Sequence, residues 1–460
     1  MKKPNILALV VAILTGCMMT SCNSSEDTTE ELSNDCVITS ATLGTLKRIV
    51  NDSTTVSVTG GAYHLYIDQV NSRVFNPDSL PVGTCVDKLV FASSSGIKCT
   101  GTLGIVNLET GKEEAFTPTD STDFSVLRQV VAYAPDGSSK RFYNFDIRVH
   151  KEYADELDWK QLAHNPLSPV ASFIESRTLA VGGSIYVFGR TMDGEVKLVQ
   201  TSRQSPSFDE AQPLASVGGN AIDVRTVQHF SDKFLALAGG RLVESAMVTE
   251  GWSTVSTPVQ FDALVGQSTD SIYAIAGNQM YASADGLAWN ESEVDSPADL
   301  PQGSDVAAAT QQSRVDKDGE IVVMVGSRKV TRADGTSADS VTVWKRDIDR
   351  SAADKYSYPW INLPQTEELR TYGCPLLKQI SAFAYDEGTV VTGVAADGTI
   401  APFYTSTDNG RTWKTTDLSS PDTTGANSIS VAVDADHYIW VVLGGTGTIY
   451  RGRINRLGWE

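Results

Sequence analysis

The stretch Ser406-Thr407-Asp408-Asn409-Gly410-Arg411-Thr412-Trp413 has the residue types of a tight, self-contained turn. Ser and Asp side chains can accept hydrogen bonds from backbone amides of the turn, and Gly supplies the positive φ that the turn needs. The tryptophan that follows is expected to enter the space between two neighbouring sheets. A second copy, 283–289 (Ser-Ala-Asp-Gly-Leu-Ala-Trp), is one residue shorter. We therefore assign structural roles to Ser406, Asp408, Gly410, Thr412, Trp413, Ser283, Asp285, Gly286 and Trp289.

Around these turns the chain repeats a unit of strands that is closed by an aromatic residue. The second strand of the unit is apolar and recurs at 184–189, 233–238, 271–276, 320–325, 388–393 and 438–443. The closing aromatic residues are Phe208, Trp252, Trp289, Trp360, Trp413 and Trp459. Most spacings lie near the ~40–50 residues of a propeller blade. The repeat predicts an all-β fold with a six-bladed β-propeller over 153–460, and seven blades are the alternative.

One strand-like segment stands outside the repeat. Residues 157–162 (Leu-Asp-Trp-Lys-Gln-Leu) resemble the closing strand of a unit, yet they precede the first complete unit. We expect residues 159–163 to pair with the last blade and to close the ring. Such closure removes open sheet edges that could otherwise pair with another chain.

Residues 36–152 have the sequence pattern of a separate β-domain. Apolar residues alternate over 56–67, a short apolar run covers 88–92, and two further runs, 129–134 and 142–149, flank Pro135-Asp136-Gly137. That tripeptide is typical of a turn between two strands. Short strands with frequent turns over this length predict an immunoglobulin-like β-sandwich.

The N-terminus has the pattern of a bacterial lipoprotein signal over 1–22. Lys2 and Lys3 precede a short apolar run, 6–14, which is far below the ~20 residues that span a bilayer. Cys17 and Cys22 each end a lipobox-like segment, and Ser and acidic residues follow Cys22 closely, which resembles the surface-export signal of Bacteroidetes lipoproteins. We assign lipidation to Cys22, with Cys17 or a cleaved signal without lipid as alternatives. Residues 23–35 are polar and acidic, as in a flexible tether.

Charge and cysteine content narrow the range of partners. A formal net charge of -19 argues against nucleic acid and against anionic membrane surfaces, so we expect membrane attachment through the lipid anchor only. The histidines are scattered and no Cys-x-x-Cys occurs, so we expect neither a metal nor a cofactor.

Export permits a disulfide, and Cys85 and Cys99, on neighbouring predicted strands, are the expected pair.

The motifs together resemble a known group of proteins. The 406–413 turn matches the Asp-box pattern, so the C-terminal part resembles the Asp-box, or sialidase-like, propellers, in which such boxes lie at the periphery. The whole layout resembles uncharacterised Bacteroidetes lipoproteins that join an N-terminal domain of unknown function to such a propeller. The N-terminal segments that carry this resemblance are 66–69, 76–81 and 121–124. The resemblance implies an outer-membrane, surface-exposed protein and no particular activity.

The sequence offers no catalytic set. A sialidase would need an arginine triad and a Phe/Tyr-Arg-Ile-Pro motif, but Arg177 precedes Thr-Leu-Ala and Arg190 precedes Thr-Met-Asp. The insert 346–364 carries Tyr356, Tyr358 and Trp360, whose aromatic faces suit sugar rings, although Trp360 also fits the inter-sheet tryptophan of its blade.

We therefore expect a monomeric, non-enzymatic surface lipoprotein that binds a glycan or an envelope or extracellular protein. A degenerate glycan-processing enzyme and an assembly factor for another envelope protein are the alternatives. Convergent arginines and carboxylates in a central pocket would favour the enzyme.

Overall fold

The computed structural model describes residues 32–50, 54–249, 251–350, 358–365, 371–415 and 418–459. Within these ranges the regular elements are β-strands and short 3-10 helices, so the all-β prediction is confirmed. The 3-10 helices are Gly60–Ala62, Pro169–Ser172, Pro297–Asp299 and Asn455–Gly458. No helix in the described ranges is long and apolar enough to cross a membrane. The chain divides into two units between Tyr153 and Ala154.

The N-terminal unit contains one mixed sheet and two ribbons. The six-stranded sheet has the order β4 (Tyr66–Asp68), β5 (Arg73–Phe75), β10 (Lys140–Asp146), β9 (Arg128–Tyr133), β7 (Leu103–Val106), β8 (Glu113–Ala115). The ribbons are β1 (Ile38–Ala41) with β6 (Ile97–Cys99), and β2 (Thr45–Val50) with β3 (Thr54–Thr59). All pairs are antiparallel except β5 with β10.

One hydrophobic core joins the ribbons to the sheet. Ile38 and Leu46 of the ribbons pack in the same cluster as Val74, Val130 and Phe145 of the sheet. The unit therefore has two β layers. The immunoglobulin-like topology of 36–152 stays a prediction.

The alternating segment 56–67 does not form one continuous strand, because Gly60 and Gly61 interrupt it. The amide of Gly60 donates to the carbonyl of Gly44 at 2.9 Å, and a Cβ on Gly60 would lie 2.3 Å from the same oxygen. The chain therefore leaves β3 at this point and resumes as β4.

The predicted Cys85–Cys99 disulfide does not form in the structure, where both residues are free thiols. Cys99 lies opposite Ile38 on β1, whereas the amide of Cys85 donates to the carbonyl of Lys47 on β2 at 2.8 Å. The two cysteines thus border different ribbons.

The C-terminal unit contains six four-stranded antiparallel sheets within the described residues. Sheet one has β12 (Phe173–Val181), β13 (Ser184–Thr191), β14 (Val196–Ser202) and β15 (Gln212–Pro213). Sheet two has β16 (Ile222–Phe230), β17 (Lys233–Ala238), β18 (Arg241–Ser245) and β19 (Ser253–Thr254). Sheet three has β20 (Ala263–Gln267), β21 (Ile272–Ala276), β22 (Gln279–Ser283) and β23 (Asn290–Ser292). Sheet four has β24 (Ala307–Gln312), β25 (Gly319–Thr331), β26 (Ser337–Asp349) and β27 (Ile361–Asn362). Sheet five has β28 (Lys378–Tyr385), β29 (Gly388–Val394), β30 (Tyr404–Ser406) and β31 (Lys414–Thr415). Sheet six has β32 (Ser428–Val433), β33 (Ile439–Gly444), β34 (Thr448–Ile454) and β11 (Leu157–His164).

These sheets form a ring. The first strand of each sheet contacts the first strand of the next, and β32 of sheet six contacts β12 of sheet one. Each hydrophobic cluster of this unit is shared by two consecutive sheets; one of them combines Val187 and Phe208 of sheet one with Trp440 and Val442 of sheet six. The ring is therefore held by apolar faces between sheets, and its first strands surround the centre.

The closing strand is where the sequence predicted it. β11 pairs antiparallel with β34 over the whole run from Leu157–Ile454 to His164–Thr448. The ring-closure prediction is confirmed. Trp459, however, is wrong as the closing aromatic of the last sheet, since it follows the final 3-10 helix and is 36% exposed. Trp159 on β11 occupies that role and packs against Phe403, with ring centroids 6.1 Å apart.

Candidate functional site

The 406–413 turn satisfies its own polar groups. The Asp408 carboxylate accepts hydrogen bonds from the Thr412 amide (2.9 Å), the Thr412 hydroxyl (2.6 Å) and the Ser406 hydroxyl (2.8 Å). The Ser406 hydroxyl oxygen in turn accepts from the Gly410 amide at 2.8 Å. Gly410 has φ +92°, and a Cβ there would lie 3.0 Å from Val323 of sheet four.

Trp413 anchors this turn between sheets four and five. Its side chain is 1% exposed and packs among Val323, Val343 and Val391. The indole Nε1 donates to the carbonyl of Gly410 at 3.0 Å. The turn therefore connects β30 and β31 of sheet five, and its tryptophan fastens that sheet to sheet four.

The shorter 283–289 turn has the same internal bonds. Asp285 accepts from the amides of Leu287 and Ala288 at 2.8 Å each, and Ser283 Oγ accepts from the Gly286 amide at 2.9 Å. Trp289 is 7% exposed and its Nε1 donates to Gly286 O at 3.2 Å.

The two turn carboxylates have lowered pKa values for somewhat different reasons. Burial acts to raise the pKa of Asp408, but the hydrogen bonds from Thr412 and Ser406 outweigh it and hold the pKa below its usual value. For Asp285 the amides of Ala288 and Leu287 are the largest cause of the lowered pKa. Both carboxylates are thus stabilised in the charged form by the turn itself.

The insert in sheet four does not present Trp360 to a ligand. Trp360 is fully buried among sheets three and four, 5.2 Å from Tyr273 between ring centroids, and its amide donates to Glu293 O. The prediction of Trp360 as a binding residue is wrong, because its parallel bridge with Val294 draws it into the inter-sheet core. Tyr358 is 47% exposed.

Several sequence-based assignments lie outside the described ranges. These are the lipoprotein signal over 1–22 with its lipidation candidates Cys17 and Cys22, residues 23–31 of the predicted tether, and Tyr356 of the insert.

An open groove lies where the turns between first and second strands of sheets four, five and six come together. Two adjacent cavities, of about 430 and 410 Å³, share Arg314, Tyr385, Asp386, Glu387 and Gly388 as lining residues. The larger also reaches Asp155, Lys414 and Arg456, and the smaller reaches Gln311 and His437. We call this surface the hairpin-turn groove.

Ion pairs organise the groove. The Asp386 carboxylate pairs with Arg456, whose Nε also lies 2.8 Å from Asp155. Glu387 pairs with Arg314 at 3.5 Å and has a side chain that is 77% exposed. Hydrogen bonds from Arg456 to Asp386 and then to Asp155 raise the pKa of the guanidinium. The acidic and basic side chains are balanced here, which distinguishes the groove from the acidic chain as a whole.

The turn that carries the two acids is conformationally unusual. Asp386 and Glu387 have φ values of 46° and 43°. This left-handed backbone conformation is energetically unfavourable for most residues other than Gly or Asn. Positive φ at both central positions defines a two-residue hairpin turn whose twist matches the flanking strands. Tyr385 directly precedes the turn. Burial raises the pKa of its hydroxyl to about 12, and the hydroxyl oxygen accepts a hydrogen bond from the Ile454 amide at 2.9 Å.

A second polar cluster occupies the ring centre, towards the beginnings of the first strands. β16 carries a bulge in which residues 224–227 face Ala236 alone. Bulges redirect side chains, and here Arg225 extends across the ring, where it donates to Ser176 O on β12 at 2.9 Å and to Ile380 O on β28. Arg225 is 2% exposed, so it links three sheets through the interior.

Carboxylates surround Arg225 but not its neighbour Arg177. Asp305 lies 4.0 Å from Arg225, and Asp305, Glu175 and Asp223 all act to raise its pKa, although burial lowers it overall. In the part of the chain that the structure describes, the Arg177 side chain has one hydrogen bond, a long one from Nη2 to Gln228 Oε1 at 3.4 Å.

Neither polar cluster emerged from the sequence. For the ring-centre cluster the sequence contains one signal: Asp223 and Arg225 interrupt the apolar residues of a first strand. The groove leaves only the pair Asp386-Glu387 in a strand-to-strand turn. Within the described ranges no group of three or more His, Cys, Asp or Glu residues is placed to hold a metal ion.

Solved structures resemble this chain only distantly. A protein of unknown function from Bacteroides thetaiotaomicron VPI-5482 has 8% identity and a TM-score of 0.37, and covers 80% of this chain and 94% of its own. The SapL1 lectin in complex with alpha methyl fucoside has 12% identity and a TM-score of 0.34, covering 60% and 91%. A Trichoderma reesei protein of Carbohydrate-Active Enzymes Family AA12 has 11% identity and a TM-score of 0.39, covering 66% and 97%. At these scores the likeness carries no argument about function.

Family comparison covers both units. No curated protein matches the sequence. Residues 153–460 match the DUF6242 beta propeller domain, and residues 41–147 match the N-terminal domain of unknown function of the same family. The ring of sheets is thus a β-propeller, and the chain belongs to the DUF6242 family.

Proposed function

We propose that this protein is a non-enzymatic lipoprotein of the outer-membrane surface, whose six-bladed, Asp-box propeller captures a glycan or glycoprotein in the hairpin-turn groove. Lipidation at Cys22 provides the membrane attachment in this proposal. The observation that carries it is the groove itself, an open surface in which Asp386, Glu387, Arg314 and Arg456 are exposed or half-buried and already oriented by ion pairs.

The chemistry of the groove suits a neutral ligand rich in hydroxyl groups. Carboxylates accept hydrogen bonds from hydroxyls, and guanidinium and ammonium groups donate to their oxygens. The larger cavity is lined by Asp155, Asp386 and Glu387 on the acidic side and by Arg314, Lys414 and Arg456 on the basic side. Equal numbers of each sign favour a polar, uncharged ligand over a strongly charged one. The cavities are within the size range of small-ligand sites.

The same contacts favour binding over turnover. Glycoside hydrolysis ordinarily uses two carboxyl groups with different roles, one of them protonated. Both acids of the groove turn are instead engaged in ion pairs with guanidinium groups, Asp386 with Arg456 and Glu387 with Arg314. The Tyr385 hydroxyl, a possible proton donor, is 5% exposed at the residue level and is engaged by the Ile454 amide.

One observation favours the enzyme alternative, the arginines and carboxylates at the ring centre. Arg225 nevertheless directs Nη1 and Nη2 to the carbonyls of Ser176 and Ile380, so these donors are engaged by the protein. We therefore rank the glycan-processing enzyme second. Release of sugar from fluorogenic glycosides that is lost in Glu175→Gln would favour it over simple binding.

A glycan array probed with soluble residues 36–460 tests the leading proposal. The double variant Asp386→Asn, Glu387→Gln should weaken any glycan signal by about tenfold or more, since hydrogen bonds to charged groups contribute ~1.5–3 kcal/mol each. Asp334→Asn is a matched control, because Asp334 is also an exposed acid in a hairpin turn, but in the turn between β25 and β26.

The outcomes separate the alternatives. Glycan binding that survives the double variant would move the site away from the groove. Absence of glycan binding, together with specific capture of an envelope protein that the double variant abolishes, would favour the assembly factor instead.

A further inference from the structure

Arg177 on β12 is a half-buried cation that has no carboxylate partner among the described residues. Within the described residues its guanidinium makes only the 3.4 Å contact with Gln228, and no ion pair. Its Nε is inaccessible to water and has no hydrogen-bond partner. A buried polar N–H without a partner is costly, and a charged one more so.

The surroundings of Arg177 add to this cost. Burial and the nearby Arg225 guanidinium lower the pKa of Arg177 to about 9, which still leaves it charged at neutral pH. Among the described residues no carboxylate contributes to the lowered pKa of Arg177, whereas three carboxylates act to raise that of Arg225. Arg225 also has a buried Nε with no partner. Two guanidinium groups therefore lie close together with unused donors.

Arg177 is not sealed from water. Its exposure is intermediate at the residue level, although its Nε is inaccessible. The planar fork of N–H donors on an arginine matches the oxygens of carboxylates and phosphates.

We propose that the ring centre holds a small oxyanion at Arg177, bound as the counter-ion that this guanidinium lacks. This site is separate from the hairpin-turn groove: Arg177 lies at the middle of β12, whereas the groove lies where the first strands of sheets four, five and six end. Carboxylate and inorganic phosphate or sulfate share the required chemistry, so the probes must distinguish them.

The test measures the thermal unfolding of the full chain with acetate, phosphate or sulfate at constant ionic strength. Binding to the folded state stabilises it by mass action, so the folding equilibrium constant should rise about tenfold when the anion reaches about nine times its dissociation constant. The rise should saturate. Preference for acetate would identify a carboxylate ligand, and preference for phosphate or sulfate an inorganic one.

Variants assign the effect to this arginine. Arg177→Met should abolish the saturable rise and, without added anion, should unfold no earlier than the wild type, because a half-buried unpaired charge is gone. Arg332→Met is the control, since Arg332 is exposed in the turn between β25 and β26, and it should keep the wild-type response. Arg177→Lys retains charge but loses the fork, and should bind more weakly.

Equal anion dependence in the wild type and Arg177→Met, or no saturable response in the wild type, would overturn the proposal. If Arg177→Met does not fold, the comparison of Arg177→Lys with the wild type decides it: an unchanged anion affinity refutes the site, and a weakened affinity supports it.

Discussion

Removing the carboxylate of Asp408 should loosen one defined part of the propeller. Asp408→Ala deletes the acceptor for the Thr412 amide, the Thr412 hydroxyl and the Ser406 hydroxyl. A hydrogen bond contributes ~0.5–1.5 kcal/mol net, and Asp408 is only half-buried, so water can replace part of the loss. We expect a destabilisation of about 2 kcal/mol for three such bonds.

Hydrogen exchange of peptides covering 404–415 reports on this loss locally. A change of ~2 kcal/mol corresponds to roughly thirtyfold faster exchange of amides that open with the turn. Asp397→Ala is the matched control in the same sheet: Asp397 also accepts from an amide and a hydroxyl, both of Thr399, but it is exposed. Amide exchange in the Asp397→Ala control should change far less than in Asp408→Ala. Equal effects of the two variants would refute the reasoning that burial gives the turn its value.

The effect of Asp408 should also depend on pH. Because its folded-state pKa is depressed, its contribution is fully present above the unfolded-state pKa of ~4 and is lost as pH falls through the lower folded-state value. The stability difference between wild type and Asp408→Asn should therefore shrink below about pH 4. A difference that stays constant down to pH 2 would contradict this assignment.

Two further predictions concern the chain's ends and its closure. A chain that starts at Ser172 lacks β11 and leaves the outer edge of β34 without a partner strand, so it should aggregate or melt well below one that starts at Tyr153. Equal melting temperatures by calorimetry would mean that β11 does not hold the ring. Labelling of cells with a palmitate analogue should be lost in Cys22→Ala and kept in Cys17→Ala, and the reverse result would move the lipid to Cys17.

Local patterns were sufficient for much of the fold. The apolar second strands are visible because they alternate with turn residues, and β13, β17 and β29 include the predicted runs. The closing strand could be found because Asp158-Trp159-Lys160 resembles the segment around Trp413. Local pattern failed at Trp459, since only pairing with β34 shows that Trp159 already fills the last sheet.

The polar clusters could not be predicted, because distant strands assemble them. In the sequence, Arg177 stands outside any Phe/Tyr-Arg-Ile-Pro motif, and nothing local marks it. It matters because of Arg225, which a bulge in β16 turns towards the ring centre. Arg314 and Arg456 meet the Asp386–Glu387 turn from other sheets. The sequence offers two roles for Trp360: its place as the closing aromatic of sheet four predicts an inter-sheet core, and its place in the insert predicts a binding surface. Its burial selects the core.

The pairing of β11 with β34 has a consequence for how the chain is made. His164 and Thr448, which face each other in this pair, are 284 residues apart in the sequence. β11, at the start of the propeller, therefore stays unpaired until almost the whole remaining chain has been synthesised. Contacts of such long range slow folding and leave an open edge exposed meanwhile. The ring therefore cannot close until β34 has been synthesised. A chain that lacks β34 also leaves β11 without its partner strand.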